Sequence, residues 1–262
     1  MDMNLLKGMR GFFALVAVIG TMAAVLPASA DIIILNVDRE IQVKGVASAG
    51  AENDSFDVVQ TGPASGLFNA FLDDSASAGS AVGTAAPEGP AAWVDASASQ
   101  SSSIGAADFL AIGSVSAVAG TIPDPNFIYS ANSWDHSEFE VIFQLTTPYM
   151  MDFSGFHDYS ESGAANPSGG IRLQGPGGFD LFFGNQTFDV HQLLLPGDYT
   201  LMGRAGVDCS APSGQGGGQS TIMEEYGLSL CLAGAEVPEP STIVLLGLGA
   251  VTLLYRKVKG LA

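Results

Sequence analysis

From Trp93 to Ile104 the chain reads Trp-Val-Asp-Ala-Ser-Ala-Ser-Gln-Ser-Ser-Ser-Ile, with alanine and serine alternating through its middle. Alanine favours helices over strands in isolation. A helix, however, buries positions i, i+3 and i+4, whereas a period of two separates residue types only across an extended strand. The stretch is therefore predicted as a strand with one small apolar face and one hydroxyl-bearing face. Phe109–Ala119 matches it in composition and is its expected partner.

The same period recurs along the chain. In Ser137–Leu145, Phe139, Val141, Phe143 and Leu145 are expected to face a core, with Glu138, Glu140 and Gln144 facing water. Ile32–Leu35 reads as a continuous apolar strand and Arg39–Val46 as an alternating one, with a turn at Asn36–Asp38 between them. Further strands are predicted at Phe56–Gln60, Leu67–Leu72, Tyr149–Phe156 and Tyr226–Leu232, with residues 73–90 small and turn-rich and Thr121–Asn132 a loop. Ile171–Gln174 and Phe179–Phe183 flank Gly175-Pro176-Gly177-Gly178, a hairpin signature. Asp189–Leu195 and Asp198–Ala205 flank Pro196-Gly197, which suits a type II turn. Many short strands, frequent Gly/Pro turns and no convincing internal helix predict an all-β fold, an antiparallel β-sandwich of jelly-roll type.

The acidic balance lies in the middle of the chain. Formal net charge is −18, and residues 31–236 contain only four basic residues, Arg39, Lys44, Arg172 and Arg204. So few cations exclude a nucleic-acid partner, whose binding rests on neutralising phosphates.

The two ends have a different character. Lys7 and Arg10 precede an apolar run from Gly11 to Leu26, and Ala28-Ser29-Ala30 follows as a small-residue cleavage site. This is a secretory signal, helical until removal, and Asp31 is the expected first residue afterwards. At the other end stand Val237-Pro238-Glu239-Pro240-Ser241-Thr242, an uncharged run from Ile243 to Tyr255, and the cations Arg256, Lys257 and Lys259. The prolines hold their surroundings extended. A helix of about 14 residues covers roughly 20 Å, short of the ~30 Å hydrocarbon core, so the span is a marginal transmembrane helix. The basic tail acts as a cytoplasmic stop-transfer signal. The organisation is thus 1–30 signal peptide, 31–234 exported sandwich and 235–262 sorting signal.

This last stretch, with its motif, short span and basic tail, resembles the PEP-CTERM sorting signal of Gram-negative bacteria. The resemblance implies recognition by an exosortase, a membrane-embedded thiol transpeptidase acting near Pro-Glu-Pro. It also implies transient anchoring in the inner membrane, delivery to the cell surface or outside, and association with exopolysaccharide in biofilm or floc. The body shares with such proteins, loosely, an Ala/Ser strand with Gln-Ser and a Leu-Pro-Gly-Asp-Tyr-Thr-Leu segment.

Chemistry in the body is sparse. Cys209 and Cys231, in an exported segment, are expected to form a disulfide closing a loop of about 23 residues, stabilising by ~3 kcal/mol on the chain-entropy model. His136, His157 and His191 each have a nearby aspartate, Asp135, Asp158 and Asp189, and are expected as ordinary strand or loop residues rather than metal ligands. No Gly-x-Ser-x-Gly or His-Glu-x-x-His occurs. Calcium is conceivable at Asp73-Asp74 and Asp124–Asn126, and Tyr129, Trp134, Tyr149 and Tyr159 offer rings for sugar stacking. The expectation is a non-enzymatic matrix protein with no catalytic or metal residues. A carbohydrate-binding module and a secreted hydrolase are the alternatives.

Overall fold

Alternation of side chains at each strand generates two faces, and burying the apolar ones against each other generates the architecture. The computed structural model describes residues 31–80, 90–122, 129–211 and 217–234. Asp31–Gly234 forms one compact unit. Its strands are β1 (Ile32–Ala49), β2 (Glu52–Thr61), β3 (Gly66–Ser80), β4 (Pro90–Ile104), β5 (Asp108–Thr121), β6 (Tyr129–Leu145) and β7 (Tyr149–Ser162). They continue with β8 (Ala164–Pro167), β9 (Gly170–Gln174), β10 (Asp180–Phe183), β11 (Gln186–Leu194), β12 (Gly197–Ala211) and β13 (Gly218–Gly234). Among the described residues no helix is long and apolar enough to cross a membrane. The signal segment and the C-terminal span lie outside those residues.

Two antiparallel sheets result. Sheet A has the order β10-β9-β12-β6-β1-β2, with β8 beside β12, and sheet B has the order β11-β7-β13-β5-β4-β3. Phe139, Val141, Phe143 and Leu145 face inward as expected. So do the alanines of β4, while Ser97, Ser99, Ser101 and Ser103 face outward or lie half-buried. The core changes character along the strands. Ala47, Ala92, Ala96, Ala117, Ala119 and Ala131 fill one end. Toward the other end Phe109 packs on Phe143 with centroids 5.1 Å apart, and Phe143 stacks on Tyr199 at 5.5 Å.

β1 is one strand where two were expected. No turn forms at Asn36–Asp38. The register on β6 slips between Ile34 and Asn36, which leaves Leu35 as a bulge. The reason is phase: Ile32 and Ile34 pair with inward Leu145 and Phe143, whereas Val37 and Ile41 pair with Val141 and Ser137. One extra residue moves the inward set from even to odd positions. The turn-rich reading of 73–90 is likewise corrected for its first part, since β3 continues to Ser80. Pro196-Gly197 carries the chain from β11 in sheet B to β12 in sheet A rather than closing a hairpin, and Gly197 has φ 148°, away from the type II value. The β9–β10 hairpin through Gly175–Gly178 stands as expected.

The expected disulfide is overturned: Cys209 and Cys231 are free thiols. Cys209 is buried on β12, its Sγ donating to Ser220 O at 3.4 Å near the start of β13. Cys231 lies on the outer face near the end of β13, about 35 Å further along the strand at its rise per residue. Bridging requires Cα atoms within about 7 Å. Sequence spacing measures loop length but not that β13 is a long straight strand.

One consequence is measurable. In native protein a thiol reagent at pH 8 is expected to modify Cys231 alone, with Cys209 reacting only in denaturant, because burial also raises the Cys209 thiol above its usual range. Two thiols reacting at equal rates in the native state would contradict this placement.

Candidate functional site

The body's two ends leave it at one pole. Asp31 N donates to Thr146 Oγ1 at 3.0 Å, just past the end of β6. Gly234, the last residue of β13, pairs with Tyr149 at the start of β7. The residues of the expected signal-cleavage site, Ala28 and Ala30, and of the sorting signal, Val237–Thr242 with Arg256, Lys257 and Lys259, lie outside the described residues.

Within the body, the outer face of sheet B is the most distinctive surface. Its six strands, β3, β4, β5, β7, β11 and β13, contain no Lys or Arg. All four cations of the body are on sheet A, and three of them are paired there: Lys44 with Asp57, Arg172 with Asp180 and Arg204 with Glu138. Register arranges the outward residues of sheet B in rows. One row runs Leu67, Ser103, Leu110, Ser229, Ser154, Asp189; the next runs Asn69, Ser101, Ile112, Gly227, Phe156, Thr187. Between the large side chains of these two rows lies an open groove of about 490 Å³. Leu67, Leu110, Ile112 and Phe156 wall it, and serines and glycines form its floor. The Phe156 ring lies over Gly227, where an added Cβ would meet ring carbon Cε1 at 2.5 Å. Glycine there lets the ring lie flat along the sheet. Carboxylates occupy the rows on either side: Asp108 and Asp152 in one, Glu225 and Asp158 in the other.

The rings of Tyr129, Trp134, Tyr149 and Tyr159, which the sequence offered for sugar stacking, do not share one surface. Tyr129 and Tyr149 are buried, whereas Trp134 is exposed on sheet A. Asp73 and Asp74 are consecutive residues within β3, so they point to opposite sides of a strand instead of sharing a loop. Asp124–Asn126 lie outside the described residues. Among the described residues no group of three His, Cys, Asp or Glu side chains could hold a metal ion.

Of the three histidines, His191 keeps its sequence neighbour Asp189 as a partner, while His136 and His157 find others. Residues adjacent in a strand face opposite sides, so Asp135 and Asp158 point away from His136 and His157. His136 Nε2 is 3.0 Å from Glu40 Oε1. His191 is exposed, with Asp152 at 2.5 Å and Asp189 at 3.4 Å. These contacts raise its pKa, the hydrogen bond to Asp152 contributing most. His157 is buried. Its Nδ1 accepts the Asn185 N–H at 2.9 Å, so the proton of the neutral ring is on Nε2, which donates to Glu224 Oε1 at 2.7 Å. Glu224 Oε2 accepts the N–H groups of Gly206 at 2.9 Å and Ser168 at 3.3 Å. This network ties sheet B to sheet A at the break between β8 and β9, and it consumes the polar capacity of both side chains.

Asp135 is also buried. Its Oδ1 accepts the Lys44 N–H at 2.9 Å and its Oδ2 the Ser133 hydroxyl at 2.6 Å. Desolvation outweighs both bonds and pushes its pKa up to about 7. The unfolded carboxyl titrates near 3.9. Between about pH 4 and 7 the native state therefore binds the proton that the unfolded chain has released, and this group's contribution to stability falls as pH rises. Asp135→Asn retains an acceptor for Lys44 and a donor for Ser133. It is expected to stabilise the protein by about 2–4 kcal/mol above pH 7 and by little at pH 4. Urea unfolding at both pH values checks this, and an equal difference at both would refute it.

Comparison with known proteins bears on the C-terminal end. Residues 236–258 match the family model of the PEP-CTERM protein-sorting motif. No curated protein matches the chain, and no solved structure does. The match begins two residues after the last strand, so the folded body leads directly into the motif. The chain thus carries a PEP-CTERM protein-sorting motif, the mark of an exosortase substrate that is exported, passes through the membrane and is processed at the cell envelope.

Proposed function

We propose that this protein is a non-enzymatic component of the cell surface or extracellular matrix, associated with exopolysaccharide. In this reading the signal peptide delivers Asp31–Gly234 across the inner membrane of a Gram-negative cell. The short C-terminal helix holds it there until an exosortase cuts near Pro238-Glu239-Pro240. The observation that carries the reading is the motif at residues 236–258 following β13 without an intervening domain. All thirteen strands of the described residues lie between Asp31 and Gly234, so removing both ends leaves each of them in place.

The body suits a binding role. Counted as eight, the strands β5, β6, β7, β9, β10, β11, β12 and β13 give orders 1-8-3-6 in sheet B and 2-7-4-5 in sheet A. We read this as a jelly roll, extended by β1–β2 on one sheet and β3–β4 on the other. Jelly rolls include lectin domains, but the fold alone names no ligand. The groove on sheet B favours the second reading, a carbohydrate-binding module, and the two readings are compatible.

Replacing Pro238 and Pro240 by Ala together is expected to leave most of the protein at full length in the inner-membrane fraction, with a several-fold loss of the processed form. Immunoblotting of fractionated cells measures it. Normal surface delivery of a processed double variant would overturn exosortase sorting through this motif.

A further inference from the structure

Sheet B brings together three features that bear on a ligand: a groove with a half-buried aromatic ring in its wall, hydroxyls along its floor, and an absence of Lys and Arg. Leu67 is 73% and Ile112 60% exposed, so the groove walls project from the sheet. Gly227 supports one face of the Phe156 ring. A sugar ring has one face of C–H groups that stacks on an aromatic plane and a rim of hydroxyls that hydrogen-bond. Ser101, Ser103, Ser154 and Ser229 line the groove and can donate or accept such bonds. Its lining residues come from five adjacent strands about 4.8 Å apart, a span that fits several sugar units.

Charge narrows the class. Asp108 and Asp152 flank the groove on one side, Glu225 and Asp158 on the other, and Asp189 stands beyond Ser154. Carboxylates accept hydrogen bonds from sugar hydroxyls but repel uronate, phosphate or sulfate groups. These strands carry no Lys or Arg, and the side chain among them that can take a positive charge, His191, is already held by Asp152 and Asp189, so little on this face compensates an anionic ligand. The same repulsion opposes packing of two copies through this face. We infer that the groove is a glycan site that takes electroneutral polysaccharide and rejects acidic polysaccharide. This rests on the exopolysaccharide reading above and adds the site and the charge class.

The test uses full-length protein in phosphatidylcholine nanodiscs. Exopolysaccharide from the producing cells is separated by anion exchange into neutral and acidic fractions, and each is immobilised on a biosensor. The neutral fraction is expected to bind and the acidic fraction not, at low salt. Phe156→Ala and Ile112→Ser, both on the outer face, should each weaken neutral binding about tenfold or more. The triple variant Asp158→Asn, Asp189→Asn, Glu225→Gln should admit the acidic fraction. Binding of the acidic fraction by the wild type, or neutral binding unaffected by both groove variants, overturns this inference and leaves exopolysaccharide association standing. So does a dimer in sedimentation that Phe156→Ala dissolves. No binding of either fraction overturns the association itself.

Discussion

Everything in this body depends on a period of two. A strand gives each residue to one face only, so the inner and outer compositions are set separately. In β4 the inner residues Ala92, Ala96 and Ala98 supply burial and the outer Ser97, Ser99 and Ser101 supply hydroxyls. The two sheets thus hold together through alanines at one end and a cluster of Phe and Tyr rings at the other, while the outside is left to other demands. Nothing in the packing requires the outer face of sheet B to lack cations or to carry Phe156.

The core is not purely apolar, and its polar members are informative about cost. Tyr226 is buried, accepts the Gln100 Nε2 at 3.1 Å, and fits because Gly113 and Gly203 leave space beside its ring. The His157–Glu224 pair of sheet B is bonded by backbone N–H groups of sheet A, of the β8–β9 connection and of the β10–β11 turn, where Asn185 has a positive φ of 35°. Breaking such a pair from one side leaves a buried charge or donor unmatched, costing about 3–5 kcal/mol. Arg39 is 1% exposed; its Nη1 donates to Gly66 O at 3.0 Å, which fixes the β2–β3 connection, and burial lowers its pKa. These groups make particular alignments of the two sheets better than others, which an alanine-rich core by itself specifies weakly.

What was legible in the sequence was local. Alternation identified β4 and the Ser137–Leu145 part of β6 with their inward faces, composition identified β5 as the partner of β4, and Gly175–Gly178 identified the β9–β10 hairpin. Non-local pairing was not legible. The bulge at Leu35 is a change of phase that reads equally well as a turn. Cys209 and Cys231 have suitable loop spacing, but pairing needs proximity, and the straightness of β13 forbids it. Sequence proximity holds for His191, whose neighbour Asp189 stands two residues away on the same face, but a strand turns immediate neighbours apart, and the partner of His157 is 67 residues away. The groove was missed because its walls come from three strands, β3, β5 and β7, and the absence of Lys and Arg from sheet B becomes visible only when strands are assigned to sheets.

The strong acidity also has a structural use at the sheet edges. A free edge exposes backbone donors to other chains and invites strand addition. Edge strand β3 of sheet B has that liability, and β2, the edge of sheet A, answers it: Asp54 Oδ2 accepts the Ser77 N–H at 3.1 Å and Glu52 Oε2 the Gly79 N–H at 3.0 Å. Carboxylates thus occupy donors that a second chain would otherwise use, and they add charge that repels it. A protein gathered at a surface meets many copies of itself, and long strands would then be a hazard. Acidic edges keep the strands from joining between copies, while the uncharged groove in the middle of sheet B stays open to a ligand that carries no negative charge.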